Sequence, residues 1–131
     1  PGTHGSTFGG NPLAMRSANA VLELLLENDF LSNLRKMIVY FDKKMDELIK
    51  NDMQNNPIIF AKKGSGMLRG FQLNEDVTAG DFSNIAREKS LLLVGAAENT
   101  IRLLPPLNTS RTEVDSAFNI LNDIVLELKK I

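Results

Sequence analysis

The order of helical and strand-like segments constrains the fold of this chain more than any single motif does. Apolar residues three to four positions apart mark four helical segments, and short apolar runs stand in pairs between them. The order is helix, helix, strand, strand, helix, strand, strand, helix, without an internal repeat. Hairpin-like strand pairs with segregated helices predict an α+β fold, in which a small, mostly antiparallel sheet has helices packed on one face.

Capping residues set the predicted helix boundaries. Asn11 is a good N-cap and Pro12 suits the first helical position, so a helix begins there. The stretch from Ser110 to Glu113 is a capping box that opens the last helix. The first helix is apolar on more than one side, which predicts that it packs against something outside this domain. The two other helices are expected over about 30–50 and 81–89.

Four short strands are expected, over 58–61, 67–73, 91–94 and 101–104. A turn over residues 62–66 separates the first pair, and a turn over residues 95–99 separates the second pair. In the second strand Arg69 falls on the apolar side of the alternation. Gly70, inside the same strand, predicts a close backbone approach or a bulge.

Composition excludes several classes of function. A net charge of −1, with no basic stripe, gives no support for binding to nucleic acid or to an anionic membrane surface. The absence of cysteine excludes disulfides and thiolate metal sites, and with a single histidine it argues against structural zinc. No apolar run is long enough to span a bilayer, and the first residues do not show the basic segment and apolar run of a secretory signal. A cytoplasmic location is therefore expected.

A glycine-rich stretch, residues 1–12, stands directly before the first helix. Open backbone N–H groups and a helix N-terminus suit an anion, and the hydroxyls of Ser6 and Thr7 add donors suited to a phosphate. The same composition is also typical of an ordinary loop, and neither phosphate-loop pattern occurs in it. His4 and Ser6 lack an orienting carboxylate, so a hydrolytic nucleophile–base pair is not favoured.

Arg102 is the most informative charged residue. It lies between apolar neighbours near the end of the fourth predicted strand, just before Pro105 and Pro106. A buried arginine at this point would need an anionic partner, and its planar fork matches a carboxylate. Alternatively, the strand exposes alternate residues and Arg102 simply faces water. The spacing leaves both interpretations open.

Three separated segments resemble signatures of one family. Residues 4–14 read His-Gly-Ser-Thr-Phe-Gly-Gly-Asn-Pro-Leu-Ala, residues 66–73 read Gly-Met-Leu-Arg-Gly-Phe-Gln-Leu, and residues 101–107 read Ile-Arg-Leu-Leu-Pro-Pro-Leu. Together they resemble the class III pyridoxal-phosphate-dependent aminotransferases that act on ornithine, acetylornithine and 4-aminobutyrate. The acetylornithine branch is most similar, and Phe8 fits it better than the tyrosine of the ornithine branch. Arg69 departs from the apolar residue that is usual in the family.

The resemblance implies the C-terminal small domain of a fold-type I aminotransferase. Under it, residues 1–28 form a cofactor-phosphate loop and a connector helix from a large domain, and residues 29–131 form the small domain. It implies that Thr7 binds the cofactor phosphate in the neighbouring subunit of a homodimer. It also implies that Ser6 contacts substrate and that Arg102 binds the α-carboxylate of the amino-acid or oxo-acid substrate.

The family's chemistry also needs a lysine that forms a Schiff base with pyridoxal phosphate, and an acidic residue at the ring nitrogen. None of the chain's lysines stands in the matching context. The resemblance therefore implies the C-terminal part of an enzyme that moves the δ-amino group of N-acetylornithine to 2-oxoglutarate in arginine biosynthesis. This chain alone is expected neither to transaminate nor to hold the cofactor. The alternatives are part of an ornithine or 4-aminobutyrate aminotransferase, and a non-catalytic, stand-alone interaction module.

Overall fold

A computed structural model describes residues 2, 4–27, 29–54 and 56–130. The described chain forms two compact units, Pro1–Arg35 and Lys36–Ile131. The order of its eight elements is the predicted one. They are α1 (Pro12–Leu26), α2 (Phe30–Asp52), β1 (Ile59–Ser65), β2 (Leu68–Leu73), α3 (Ala79–Glu88), β3 (Val94–Ala96), β4 (Thr100–Leu103) and α4 (Arg111–Leu128).

The four strands form one sheet in the order β1-β2-β4-β3, and every neighbouring pair is antiparallel. This confirms the α+β class with an antiparallel sheet. Alternate residues of β2 and β4 are buried on one side: Phe71, Leu73, Ile101 and Leu103. We call this side the inner face, and the opposite side, which carries Arg102, the outer face.

The core lies between the inner face and the buried sides of α2, α3 and α4. Phe41 of α2 and Phe118 of α4 pack edge to face, with ring centroids 5.3 Å apart. The other large apolar side chains that these helices bury are Met45, Leu48, Phe82, Leu121 and Ile124. Residues from three helices and from the sheet thus share one core.

Arg69 lies on the apolar side of β2, as predicted, and its charge is compensated there. Its guanidinium forms an ion pair with Asp42 of α2 and donates to the carbonyl oxygens of Gly64, at 2.7 Å, and Gly66, at 3.2 Å. Because a buried cation is tolerated when it is paired and hydrogen-bonded, Arg69 can occupy a core-facing position.

The predicted turn over residues 62–66 is wrong, because β1 continues to Ser65 and only Gly66 and Met67 form the turn. Lys62 is a core-side position of the strand, where its ammonium pairs with Asp42 and Asp46. Gly64 has φ 85°, and a Cβ at this position would lie 2.2 Å from the Leu68 carbonyl oxygen. Glycine at position 64 therefore permits β1 and β2 to approach closely and does not mark the turn.

The third strand was also misplaced: β3 is Val94–Ala96, and residues 91–93 are outside it. The reason is the end of α3. Ser90, at φ 65°, donates to the Arg87 carbonyl oxygen at 3.0 Å, and Leu91 donates to the Ala86 carbonyl oxygen at 2.8 Å. These two bonds form a Schellman motif, so the apolar run begins inside a helix cap and not in a strand.

Replacing Ser90 by glycine is expected to raise the free energy of unfolding by about 0.5 kcal/mol, because glycine adopts the left-handed conformation without the penalty that a Cβ incurs. Glycine also raises the entropy of the unfolded chain, which cancels part of this gain. A urea titration of the chain measures this as a higher midpoint at constant slope. Ser90→Ala, which keeps a Cβ, is the matched control and should not gain stability. Equal midpoints for the two variants would contradict the backbone explanation.

Helix α1 begins as predicted. The Asn11 side-chain oxygen accepts the backbone N–H groups of Leu13, at 2.9 Å, and Ala14, at 3.2 Å, and Pro12 opens the helix. None of the described residues of α1 is buried. Its exposed large apolar side chains are Leu13, Met15, Val21, Leu22, Leu24 and Leu26. Among the described helices, none has the length and apolar character needed to cross a membrane.

Candidate functional site

The glycine-rich loop ends in a tight turn that leads into α1. The Asn11 N–H donates to the Phe8 carbonyl oxygen at 3.2 Å, and Gly10, the third residue of the turn, has φ 77°. A positive φ at this place is the requirement of a type II turn, which explains the glycine. Ser6 and Thr7 precede the turn and are both exposed.

The free polar groups of this loop are its hydroxyls more than the amides of the helix end. Asn11 already occupies two of the free amides at the start of α1. Within the described residues, neither Ser6 nor Thr7 forms a side-chain hydrogen bond, so both hydroxyls are available to a ligand. His4 is also exposed and forms no hydrogen bond with Ser6, so the geometry gives no support to a hydrolytic pair.

Arg102 lies on the outer face of the sheet, between the buried inner-face residues Ile101 and Leu103. Its cross-strand neighbours are Gly70 on β2 and Val94 on β3. The side chain is exposed, and no ion pair or hydrogen bond with another described residue involves it. The guanidinium is therefore free to receive a carboxylate in two parallel hydrogen bonds.

The remaining charge near Arg102 on the outer face is neutralised. Lys63, which stands opposite Gly70, forms an ion pair with Glu98 in the turn between β3 and β4. This ammonium holds the pKa of the Glu98 carboxyl below its ordinary value. The other outer-face positions given by the strand register are Ala61, Ser65, Leu68, Gln72, Val94, Ala96 and Thr100. Arg102 is thus the unpaired cation of a surface made mostly of small side chains, as far as the described residues go.

The sequence did not reveal how β4 is anchored. Asn99, at φ 49°, donates from its side chain to the carbonyl oxygens of Asn74 and Val77, both at 2.8 Å. Its side-chain oxygen accepts the Ala79 N–H at 2.8 Å, and its backbone carbonyl accepts the Leu73 N–H at 2.9 Å. Asparagine tolerates the left-handed conformation of a turn, so the sequence could indicate a turn at Asn99. It could not indicate the hydrogen-bond partners, because they lie 20 or more residues away.

The predicted site residues fall in different compact units. Ser6 and Thr7 belong to the first unit and Arg102 to the second. No group of acidic, histidine or cysteine side chains suited to a metal ion occurs in the described part of the chain. A pocket of about 420 Å³, lined by Val77, Ile85 and Leu128 with carboxylates at its edge, contains none of the predicted site residues.

Residues 1–125 match the profile of the family described as Aminotransferase class-III. The chain is a class-III aminotransferase sequence. This confirms the resemblance inferred from residues 4–14, 66–73 and 101–107.

Among its relatives, acetylornithine aminotransferase 1 of Bradyrhizobium diazoefficiens is 38% identical over 117 residues, which are 89% of this chain and 28% of the relative. The ornithine aminotransferase of Emericella nidulans is 35% identical over 135 residues, covering 100% of this chain and 28% of the relative. The chain thus spans less than a third of the length of these curated relatives.

Solved structures have the same fold. The acetylornithine aminotransferase of Elizabethkingia anophelis superposes with a TM-score of 0.80 at 30% identity, covering 97% of this chain and 33% of the other. The ornithine δ-aminotransferase of Plasmodium falciparum gives a TM-score of 0.84 at 27% identity, covering 99% of this chain and 33% of the other. This chain therefore corresponds to about a third of each.

The family is dependent on pyridoxal phosphate, and the residues of this chain fit one end of that cofactor. The exposed, unbonded hydroxyls of Ser6 and Thr7 suit its phosphate. The unit to which they belong, Pro1–Arg35, contains no lysine that could bind the cofactor's aldehyde. The loop thus has hydroxyl donors of the kind that a phosphate accepts, and residues 1–35 contain no lysine.

Proposed function

We propose that this chain is the C-terminal part of an aminotransferase that moves the δ-amino group of N-acetylornithine to 2-oxoglutarate in arginine biosynthesis. One observation carries the proposal. The family match extends over residues 1–125, and acetylornithine aminotransferases at 34–38% identity share 89–98% of this chain while it spans only 28–31% of them. The rest of the active site would lie in the larger part of these relatives, which this chain does not match.

Three side chains of this chain serve the reaction under the proposal. Thr7 donates a hydrogen bond from its hydroxyl to the cofactor phosphate in the neighbouring subunit of a homodimer, and Ser6 contacts substrate. Arg102 holds the α-carboxylate of the amino-acid or oxo-acid substrate. Its exposed and unpaired guanidinium supports this role, because a carboxylate matches the planar fork and meets no competing anion from the described residues.

Pyridoxal phosphate supplies the electron sink for the carbon that exchanges the amino group. The lysine that binds it and the acid at its ring nitrogen belong, in this proposal, to a part of the enzyme outside the present sequence. The chain alone is then inactive and does not hold the cofactor. None of the chain's lysines stands in the sequence context of the family's cofactor lysine, which supports this division of labour.

The proposal assigns residues 1–28 to a cofactor-phosphate loop and connector helix, and residues 29–131 to the small domain of a cytoplasmic enzyme. The composition of α1 supports the first assignment. Its apolar side chains are exposed here, with Leu13 and Leu26 both 77% accessible, and covering them with a large domain would remove that apolar surface from water.

Two alternatives have specific support. The ornithine aminotransferase of Emericella nidulans shares the full length of this chain at 35% identity, so ornithine is the second candidate donor, ahead of 4-aminobutyrate. The exposed apolar surface of α1 would equally serve a non-catalytic interaction module that binds another protein subunit.

Amino-donor preference in the complete protein tests the proposal. With 2-oxoglutarate as acceptor, we expect kcat/KM for N-acetylornithine to exceed that for ornithine and for 4-aminobutyrate by at least about tenfold, since a pocket that pairs its polar groups with the acetamide discriminates strongly. Initial rates of glutamate formation with each donor give the ratio. A preference for ornithine would replace the proposal by the first alternative.

The isolated chain is the matched control for the cofactor part of the proposal. After incubation with pyridoxal phosphate and borohydride reduction, peptide mapping should find no lysine labelled above the level of the others. Specific labelling of one lysine would show that this chain carries a cofactor lysine of its own. Absence of any transamination by the complete protein would favour the interaction module.

A further inference from the structure

Gly70 stands opposite Arg102 in the antiparallel pair of β2 and β4. Its φ is outside the left-handed region, so backbone conformation does not demand glycine there. The residue is buried although it lies on the outer face. The lack of room for a side chain, and not a special backbone conformation, therefore explains the glycine at position 70.

Two atoms of β4 occupy the place that a side chain at position 70 would need. A Cβ would lie 2.8 Å from Cγ2 of Thr100 and 3.0 Å from the carbonyl oxygen of Ile101. Thr100 is 7% exposed and β-branched, so its side chain has little freedom to turn away. The Ile101 carbonyl belongs to the peptide bond that leads into Arg102, so displacing it moves the backbone of Arg102 itself.

The start of β4 is anchored, so it cannot shift to relieve such a contact. Asn99, directly before Thr100, is held by three side-chain hydrogen bonds, to Asn74, Val77 and Ala79. With this end anchored, a displacement at Ile101 passes to the following residue, Arg102. Strand β4 thus starts at an anchored residue and is closely packed against Gly70 at Thr100 and Ile101. Arg102, which has no partner among the described residues, comes directly after them.

We propose that Gly70 is a positioning residue for the substrate carboxylate: by leaving room for Thr100 and the Ile101 carbonyl, it sets where β4 presents the Arg102 guanidinium. The proposal rests on the function assigned to Arg102 above. It adds a residue that touches no substrate and acts only through the backbone of β4. A shift of some tenths of an ångström is enough to weaken a bidentate contact, because both hydrogen bonds depend on alignment.

Kinetics of the complete aminotransferase test the proposal with Gly70→Ala. We expect the KM for 2-oxoglutarate to rise by about tenfold, with kcat changed less than twofold. Ile124→Val, a substitution in the α4 core, is the control for lost stability: it should lower the unfolding temperature and leave the KM unchanged. A merely structural role of Gly70 would make the two variants behave alike.

A second substitution makes the mechanism specific. Thr100→Ser removes Cγ2, the nearer of the two obstacles, and keeps the hydroxyl that donates to the Glu98 carbonyl at 3.2 Å. In Gly70→Ala/Thr100→Ser the KM should return most of the way to that of Thr100→Ser alone. If Gly70→Ala does not fold, the double variant still tests the proposal, since the Ile101 contact remains and should raise the KM about twofold over Thr100→Ser.

An unchanged KM in both alanine variants would overturn the role of Gly70. This result is distinguishable from failure of the proposed function. In the latter case the wild-type protein would not use 2-oxoglutarate, or removing the Arg102 guanidinium would leave its KM unaltered. If the wild type is active and depends on Arg102, only the positioning inference is at stake.

Discussion

Replacing Asp52 by alanine is expected to lower the free energy of unfolding of this chain by about 3 kcal/mol, because it removes one partner of a buried ion pair. Asp52, at the end of α2, is 1% exposed. One carboxylate oxygen accepts the Ile59 N–H at 2.6 Å, and the other lies 2.9 Å from the Lys129 ammonium, without a well-aligned hydrogen bond. The side chain thus joins α2 to the start of β1 and to the end of α4.

Lys129 depends on the same arrangement. Its ammonium also donates to the backbone carbonyl oxygens of Asp52 and Gln54, the latter at 2.8 Å, so it satisfies free carbonyls at the end of α2. Removing the carboxylate leaves the buried Ile59 N–H without its acceptor and a mostly buried cation without its counter-charge. Both losses act in the folded state, which is why the effect is large.

Urea denaturation of the wild type and of Asp52→Ala measures the difference. Asp52→Asn separates the two causes: its amide oxygen can still accept the Ile59 N–H, so the loss should be smaller than with alanine. Asp52→Ala/Lys129→Met should recover part of the loss, because it leaves no unpaired charge. Asp123→Ala, at an exposed position of α4, should stay within about 0.5 kcal/mol of wild type. A loss below about 1 kcal/mol for Asp52→Ala would contradict the buried-pair explanation.

This ion pair also marks the limit of prediction from the sequence. Helix starts were predicted correctly where the signal is local: Asn11 with Pro12 for α1, and Ser110 with Glu113 for α4. Asp52 carried no such signal, since its partner Lys129 is 77 residues away. Tertiary pairing of this kind depends on how the elements pack, and periodicity contains no information about it.

The two misplaced strand boundaries have the same physical origin. Lys62 looked like a turn residue because it is polar, yet carboxylates of α2 make it a strand residue that faces the core side. Leu91 looked like a strand residue because it is apolar, yet its N–H closes the cap of α3. In both cases a specific hydrogen-bonded or charged partner overrides the tendency of the residue type.

The site divides in a similar way. Ser6, Thr7 and Arg102 were singled out from the motifs and their chemistry, and the structure gives each an exposed position without a partner among the described residues. The residues that hold β4 in place, Asn99 and Gly70, act through contacts measured in ångströms. Of these, only the glycine inside a strand was visible in the sequence, as a prediction of a close backbone approach or a bulge, and the structure has the close approach.

Under the function proposed above, Arg102→Leu in the complete aminotransferase is expected to lower kcat/KM for 2-oxoglutarate by about 100-fold, because hydrogen bonds to a charged group contribute about 1.5–3 kcal/mol. Arg102 is exposed and unpaired within the described chain, so removing its charge breaks no internal contact. The unfolding temperature should therefore stay unchanged. Loss of activity without loss of stability is what distinguishes a ligand-binding arginine from a structural one.

Two control variants separate charge from geometry. Arg102→Lys keeps the charge and loses the planar fork, so an intermediate kcat/KM is expected. Lys63→Met removes the other cation of the outer face near Arg102, which Glu98 already neutralises, and should have little effect. If lysine at 102 restored full activity, a general positive potential would suffice and the bidentate contact would be refuted. Unchanged turnover of 2-oxoglutarate by Arg102→Leu would remove the carboxylate role from this residue, and with it the reason that β4 must be positioned so closely.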